Sequence, residues 1–426
     1  MKNWLNIYVL GNLLSLMIVQ TVVAQSNSKI VDYAHFISEV GKHNQEYIAE
    51  QFNVGIAEAE VIAARVFPDP EFSVSATDNG QRRMRMGYEV STELEWTVEL
   101  GGKRKARIDL AKSELAMERS LLESYFQNLR ADATLAYLEA LKNEALFVVH
   151  QDSYDRMRDI ADADSVRFRL GEIMEVEAEQ SRVEAEGIWV ELAQQEAEWR
   201  MAVTELNLLM GNSAQNDMLT LKGDISKLKA SYVLSDLISS GVENRGDLQA
   251  ALKSVNVSER SLKLAKRERA IDLGISLGVG GTSVVSNVVA PTPSTTTLSV
   301  GLSIPLKFSN RNKGELRALQ FAVKQAENNY TYAESQIKNE VVQAWYAYQA
   351  SQKQVERYQS GIMDRSRKVL DGRVYSYQRG ESSLLELLDA QRTYNEAQIG
   401  YLEALYNRAM MQVELERKAG IWNVEF

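Results

Sequence analysis

Two carboxylates three residues apart, Glu386 and Asp389, follow a glycine in the stretch Tyr377-Gln378-Arg379-Gly380-Glu381-Ser382-Ser383-Leu384-Leu385-Glu386. On a helix that spacing puts both acids on one face, where they can attract cations and repel anions. A second acidic set, Glu89, Glu93, Glu95 and Glu99, alternates with Val90, Thr92, Leu94, Trp96, Val98 and Leu100. On a strand, the period of two sends these four carboxylates to the polar face. No Gly-x-Ser-x-Gly, phosphate loop, His-Glu-x-x-His or nucleotide fingerprint accompanies either set. The histidines His35, His43 and His150 do not stand at ligand spacing, and no cysteine joins them. Met84 and Met86 are read as incidental rather than as soft-metal ligands. No catalytic residue, cofactor or metal site is expected.

The elements that would carry these acids belong to a chain of 426 residues, 45% hydrophobic and 25% charged. That permits a large core and is too charged for an inner-membrane helical bundle. A net charge of -10 argues against nucleic acid as a partner. The lack of cysteine excludes disulfides and a lipoprotein anchor. Lys2, the apolar run Trp4 to Val23, and the small residues Val22 and Ala24 before Gln25 read as a signal peptide over 1–24. An uncleaved anchor is the alternative, since the run approaches the ~20 residues that span a bilayer.

Period-two alternation marks four strands. The long ones are the Glu89–Leu100 segment and the run Leu298, Val300, Leu302, Ile304 and Leu306, which meet the ~9–11 residues of a tilted membrane strand. A shorter partner precedes each, with Phe72, Val74 and Ala76 apolar in one and Leu273, Ile275, Leu277 and Val279 in the other. Four strands cannot close a barrel alone, so an oligomer is required. A carboxylate facing lipid is costly, which turns Glu89, Glu93, Glu95 and Glu99 toward a barrel lumen.

Each strand pair feeds a long helix. Ile108, Leu115, Leu122, Leu129 and Ala136 recur at sevens, and Leu316, Leu319, Val323, Ala326, Tyr330, Ala333 and Ile337 step by threes and fours. Both helices lack proline and run to a hairpin glycine, Gly171 or Gly380. Ile399, Leu402, Tyr406, Ala409 and Val413 form the stripe of a returning helix. Roughly 65–70 residues at ~1.5 Å each give rods of about 100 Å, suited to crossing a periplasm. The chain thus reads as a two-fold internal repeat. Its parts are N-terminal periplasmic helices (25–65), a first barrel strand pair (66–105) and a first helical hairpin (106–210). An equatorial segment with a linking helix (211–270), a second strand pair (271–308), a second hairpin (309–419) and a tail (420–426) follow.

Tyr377 to Arg392, Arg167 to Ile173, and Gly301-Leu302-Ser303-Ile304-Pro305-Leu306 resemble motifs of the TolC family of outer-membrane efflux factors. Asn244-Arg245-Gly246-Asp247-Leu248 resembles the family's Arg-Pro-Asp-Leu turn, with glycine in place of proline. The resemblance implies an α+β membrane protein: a homotrimer with a twelve-stranded outer-membrane barrel, four strands per protomer, continuous with a periplasmic coiled-coil barrel. It further implies a passive channel without enzymatic activity, docked to a periplasmic adaptor (membrane fusion) protein and an inner-membrane RND-type pump. It makes Glu386 and Asp389 constriction acids and Tyr377 and Arg379 closing contacts at the tip, with Arg169 acting similarly on the first hairpin. Glu381 and Ser382 stand where the drug-exporting pattern has a locking arginine, so that network must differ. Glu99-Leu100-Gly101-Gly102-Lys103-Arg104 with Arg107 is similar to the CzcC-like heavy-metal efflux branch, which implies metal cations as cargo. Drugs or other small molecules are the alternative cargo, and a periplasmic coiled-coil adaptor the alternative protein. The basic cluster at 103–107 also suits a collar near lipid head groups of the outer membrane.

Overall fold

The computed structural model describes residues 29–78, 85–212, 219–306 and 312–426. The signal segment at 1–24, most of the first strand-pair loop including Met84, and the junction at 307–311 lie outside the described residues.

Strand β1 (Lys29–Asp32) leads into α1 (Tyr33–His43) and α2 (Gln45–Ala63), each opened by a side-chain cap from Asp32 or Asn44. Strands β2 (Glu71–Asp78) and β3 (Tyr88–Val98) form an antiparallel hairpin. Helix α3 (Lys103–Arg169) follows from a left-handed N-cap at Gly102 and runs 67 residues without a break. At ~1.5 Å per residue it spans about 100 Å. Helix α4 (Glu175–Leu209) returns alongside it.

Strand β4 (Leu219–Lys222), α5 (Leu234–Asn244) and α6 (Gly246–Glu268) connect to β5 (Leu273–Thr282) and β6 (Thr295–Ser303). The apolar alternation runs on through Ile304 and Leu306, but β6 pairing ends at Ser303 because Pro305 follows and has no amide to donate. Helix α7 (Lys313–Arg357) gives way to a π turn at Tyr358–Ile362, then α8 (Met363–Gln378), and α9 (Leu384–Lys418) returns. The second rod is therefore interrupted where unbroken heptads suggest one helix. Gly361 takes φ 154° inside the π turn, a conformation that favours glycine.

The two strand pairs merge into one antiparallel sheet of order β2-β3-β5-β6. Register places Phe72, Leu94, Leu277 and Val300 in one row, and Trp96, Ile275 and Leu302 in another. This face is exposed in the protomer, with Phe72 66%, Trp96 54% and Val300 73% accessible. An apolar face that wide must meet lipid or another protein. The opposite face carries serine, threonine, glycine and glutamate. At the sheet's foot Lys103 is buried and bonded to Asp272 at 2.5 Å, and Asp272 also accepts the Leu100 amide at 3.2 Å. That joint ties the start of α3 to the start of β5. No described helix is long and apolar enough to cross a membrane, which says nothing about a β-barrel.

Several buried clusters hold the rest, three of them large. The middle one packs Phe36, Tyr137 and Leu206 against β1 and β4, a two-stranded parallel sheet. Four-residue strands carry too little alternation to be legible in sequence. A second core joins Leu237, Leu248, Ile337 and Tyr348, uniting α5, α6 and α7. The third lies at the hairpin tips.

Candidate functional site at the hairpin tips

Both hairpins turn in the same way. Gly171 has φ 78° and Gly380 φ 73°, so each ends its helix in the left-handed region without a Cβ penalty. In the first turn Gly171 N donates to Phe168 O and Glu172 N to Arg167 O, both at 2.9 Å. In the second Gly380 N donates to Tyr377 O at 3.0 Å and Glu381 N to Ser376 O at 2.9 Å. The returning helices restart alike: Met174 N donates to Glu177 at 3.1 Å, and Ser383 N to Glu386 at 3.2 Å. Only the second has a hydroxyl cap, Ser383 Oγ accepting from Glu386 N at 3.3 Å.

A polar joint clamps the two hairpins together. Tyr377 Oη donates to Asp164, lying 2.8 Å from both carboxylate oxygens. Arg167 donates to Asp164 at 3.3 Å and its guanidinium lies 5.1 Å from the Tyr377 ring centroid. Asp164 is 1% exposed, and Tyr377 and Arg167 supply the polar contacts to its oxygens. Burial, reinforced by the Asp164 carboxylate, pushes the Tyr377 phenol well above its ordinary range. Met157, Ala161, Leu370, Leu384, Leu387 and Leu388 pack behind the joint. A groove of about 340 Å³ beside it is lined by Arg156, Asp159, Asp164, Arg167, Tyr377 and Gln391, among others. One level further from the tips, Asn395 donates to Ser153 at 2.6 Å.

Glu386 and Asp389 are both exposed on the first turns of α9. Glu386 is partly held by Arg373 at 3.4 Å as well as by its capping role. Arg379 stacks on Tyr375 of its own helix, 4.2 Å from the ring centroid, instead of reaching the other hairpin. Arg169 ends α3 next to the first turn. Asp164 and Arg167 escaped the sequence reading because their partner is 213 positions away; the available signal was an acid at a helix position that its neighbours bury.

On the sheet's polar face, Glu89, Glu93 and Glu95 are exposed and pair in register with Thr77, Ser73 and Glu71. Glu71 therefore adds a fourth carboxylate directly opposite Glu95, a like-charge pair that costs stability. Glu99 lies just past β3, only 12% exposed, with its carboxylate gripped by Arg107 at 2.8 and 3.1 Å. It belongs to the strand-to-helix joint rather than to the open row. His43 and His150 lie near Glu39 and Glu191, at 3.7 and 3.8 Å. Among the described residues no cluster of three or more His, Cys, Asp or Glu side chains could hold a metal ion.

This architecture has close parallels. The family description "Outer membrane efflux protein" matches residues 36–212 and 237–420. The chain is 24% identical over 364 residues to the cobalt-zinc-cadmium resistance protein CzcC of Cupriavidus metallidurans, covering 85% of this chain and 84% of that one. Its fold is similar to that of CusC, with a TM-score of 0.74, 18% identity and coverage of 93% and 94% of the two chains. It is also similar to the CmeC outer membrane channel of Campylobacter jejuni, with a TM-score of 0.73, 16% identity and coverage of 91% and 85%. The MtrE outer membrane channel of Neisseria gonorrhoeae, in its open state, gives a TM-score of 0.71 at 17% identity over 91% and 88%. With the family match spanning both halves of the chain, this protein belongs to the outer membrane efflux proteins, channels of the outer membrane that carry out no enzymatic reaction.

Proposed function

We propose that the chain is the outer-membrane conduit of a tripartite system that exports heavy-metal cations from periplasm to exterior. Three copies would close a twelve-stranded barrel, with the helical hairpins forming a tunnel toward a periplasmic adaptor and an RND-type pump. The observation that carries this reading is the four-stranded sheet. It has one exposed apolar face, edge strands β2 and β6 that are paired on one side only among the described residues, and direct continuity with two long hairpins. Free edges are a liability that a closed barrel removes.

In that assembly Glu386 and Asp389 form a ring of carboxylates at the narrow end, and Glu71, Glu89, Glu93 and Glu95 line the lumen. The Asp164–Tyr377–Arg167 joint holds the tip closed. Gly171 and Gly380 are its turns, and Tyr377 enters the joint directly, whereas Arg379 acts from outside it. Cation cargo is supported by these acids and by the likeness to a protein named for cobalt, zinc and cadmium resistance. The test is a deletion strain complemented with this chain. The expected results are restored tolerance to divalent metals and a heat-modifiable trimer in the outer-membrane fraction. Restored tolerance to drugs alone would replace the cargo, and a soluble periplasmic monomer would overturn the conduit.

A further inference from the structure

We propose that the belt of strand-to-helix junctions is a binding surface for anionic phospholipid head groups in the leaflet facing the helices. The inference rests on the channel reading above, and it starts from an uneven distribution of charge. The chain as a whole carries -10, yet windows 64–70, 99–108, 263–272 and 312–317 hold eleven lysines and arginines against five acids. Two of those acids are already engaged, Glu99 by Arg107 at 2.8 Å and Asp272 by Lys103 at 2.5 Å. Arg65, Lys105, Lys266, Arg269 and Lys313 are exposed and form no ion pair among the described residues.

The second observation is where these cations begin. The apolar face of the sheet continues down to Leu100, Ile271 and Leu306, which are 45%, 41% and 62% exposed. Lys105 lies within a turn or so of Leu100, and Arg269 two residues before Ile271. At the first junction Phe67, 59% exposed, lies under the Arg104 guanidinium, 4.1 Å from its ring centroid. The three described crossings, at 64–70, 99–105 and 269–272, thus hand over from apolar surface to cations, and Lys313 opens the helix that follows the fourth strand. That sequence matches hydrocarbon followed by phosphate, with long basic side chains reaching along the boundary. A docking protein would meet one patch of each protomer, whereas a lipid leaflet touches the whole circumference of the channel. Cations at every junction suit a partner that surrounds it.

Each cation near an anionic membrane surface changes affinity about fivefold. The test uses the full-length trimer, detergent-purified and exchanged against vesicles of phosphatidylglycerol or phosphatidylcholine. Bound phospholipid per trimer is read by native mass spectrometry. The triple variant Lys105→Gln, Lys266→Gln, Arg269→Gln is run in parallel, all three positions being exposed and outside any ion pair. Phosphatidylglycerol is expected to be retained at least about fivefold over phosphatidylcholine, with that preference lost in the variant and untouched by inorganic phosphate. Equal retention of both lipids, a preference unchanged in the variant, or full displacement by inorganic phosphate would each overturn the proposal. A chain that forms no trimer and enters no vesicle fails the channel reading instead, so the two failures are told apart.

Discussion

The two hairpin tips share a backbone and differ in chemistry. Their turns have the same left-handed glycine, the same pair of closing amide bonds and the same glutamate at the third position of the returning helix. At matching positions, however, Phe168 stands in the first where Tyr377 stands in the second, and Asp164 where Arg373 stands. The first hairpin supplies the buried acid and its arginine. The second supplies the phenol, the exposed acids Glu386 and Asp389, and a π turn in its outgoing helix. The two tips share local geometry while their polar groups are divided between them. The joint therefore exists only when both hairpins are in place.

Removing the shared group breaks this comparison most severely. Asp164→Ala is expected to cost about 3–5 kcal/mol of local stability, because the buried Tyr377 hydroxyl loses its acceptor and Arg167 is left with Glu172 at 3.6 Å. Tyr377→Phe leaves the carboxylate to Arg167 alone and is expected to cost about 1.5–3 kcal/mol. Both should raise single-channel conductance in planar bilayers. An unchanged conductance with folded protein would remove the joint from any role in closure. The raised Tyr377 phenol makes a related expectation. Its neutral form is favoured in the folded tip, so the contribution is complete below the unfolded tyrosine value near pH ~10 and fades as pH rises beyond it. Tip opening on alkalinisation, absent in Tyr377→Phe, is the measurable result.

The next effect is confined to the second hairpin. Gly361→Ala should cost about 1–3 kcal/mol or straighten the π turn, since φ 154° is strained for a residue with a Cβ and Arg365 lies 3.3 Å from where that atom would sit. Hydrogen exchange across 355–366 would report it, with α3 as the uninterrupted control. Replacing the exposed acids sharpens the asymmetry without touching the core. Glu386→Gln with Asp389→Asn should lower cation-over-anion selectivity severalfold, whereas Glu177→Gln in the first hairpin should leave it unchanged. Equal effects from both hairpins would mean the acids are not divided as described. The smallest change concerns the caps. Ser383→Ala should destabilise the second restart by about 1 kcal/mol and Met174→Ser should stabilise the first by a similar amount, read by thermal denaturation.

Much of this is legible in the sequence. Strands β3 and β5 announce themselves because a half-buried strand has a period of two, and the hairpin glycines because a tight turn between two helices favours a left-handed residue. Strands β1 and β4 are not, since four residues show no reliable period and their paired residues stand 190 positions apart. Glu71 was overlooked for a different reason: it begins a short strand, and only its register against Glu95 puts it in the acidic row. The π turn had no signal beyond one glycine among several.

What the sequence determined by itself is local and periodic. It set which faces are apolar, where the rods begin and turn, and which acids share a side. The tertiary structure alone decided which of these meet. Asp164 and Tyr377 come together because two helical hairpins cross at their tips, and Glu99 leaves the open row because Arg107 reaches back from the next helix. Spacing along the chain governs orientation about one axis. Contacts between elements depend on how the rods are packed against one another, and no residue spacing encodes that.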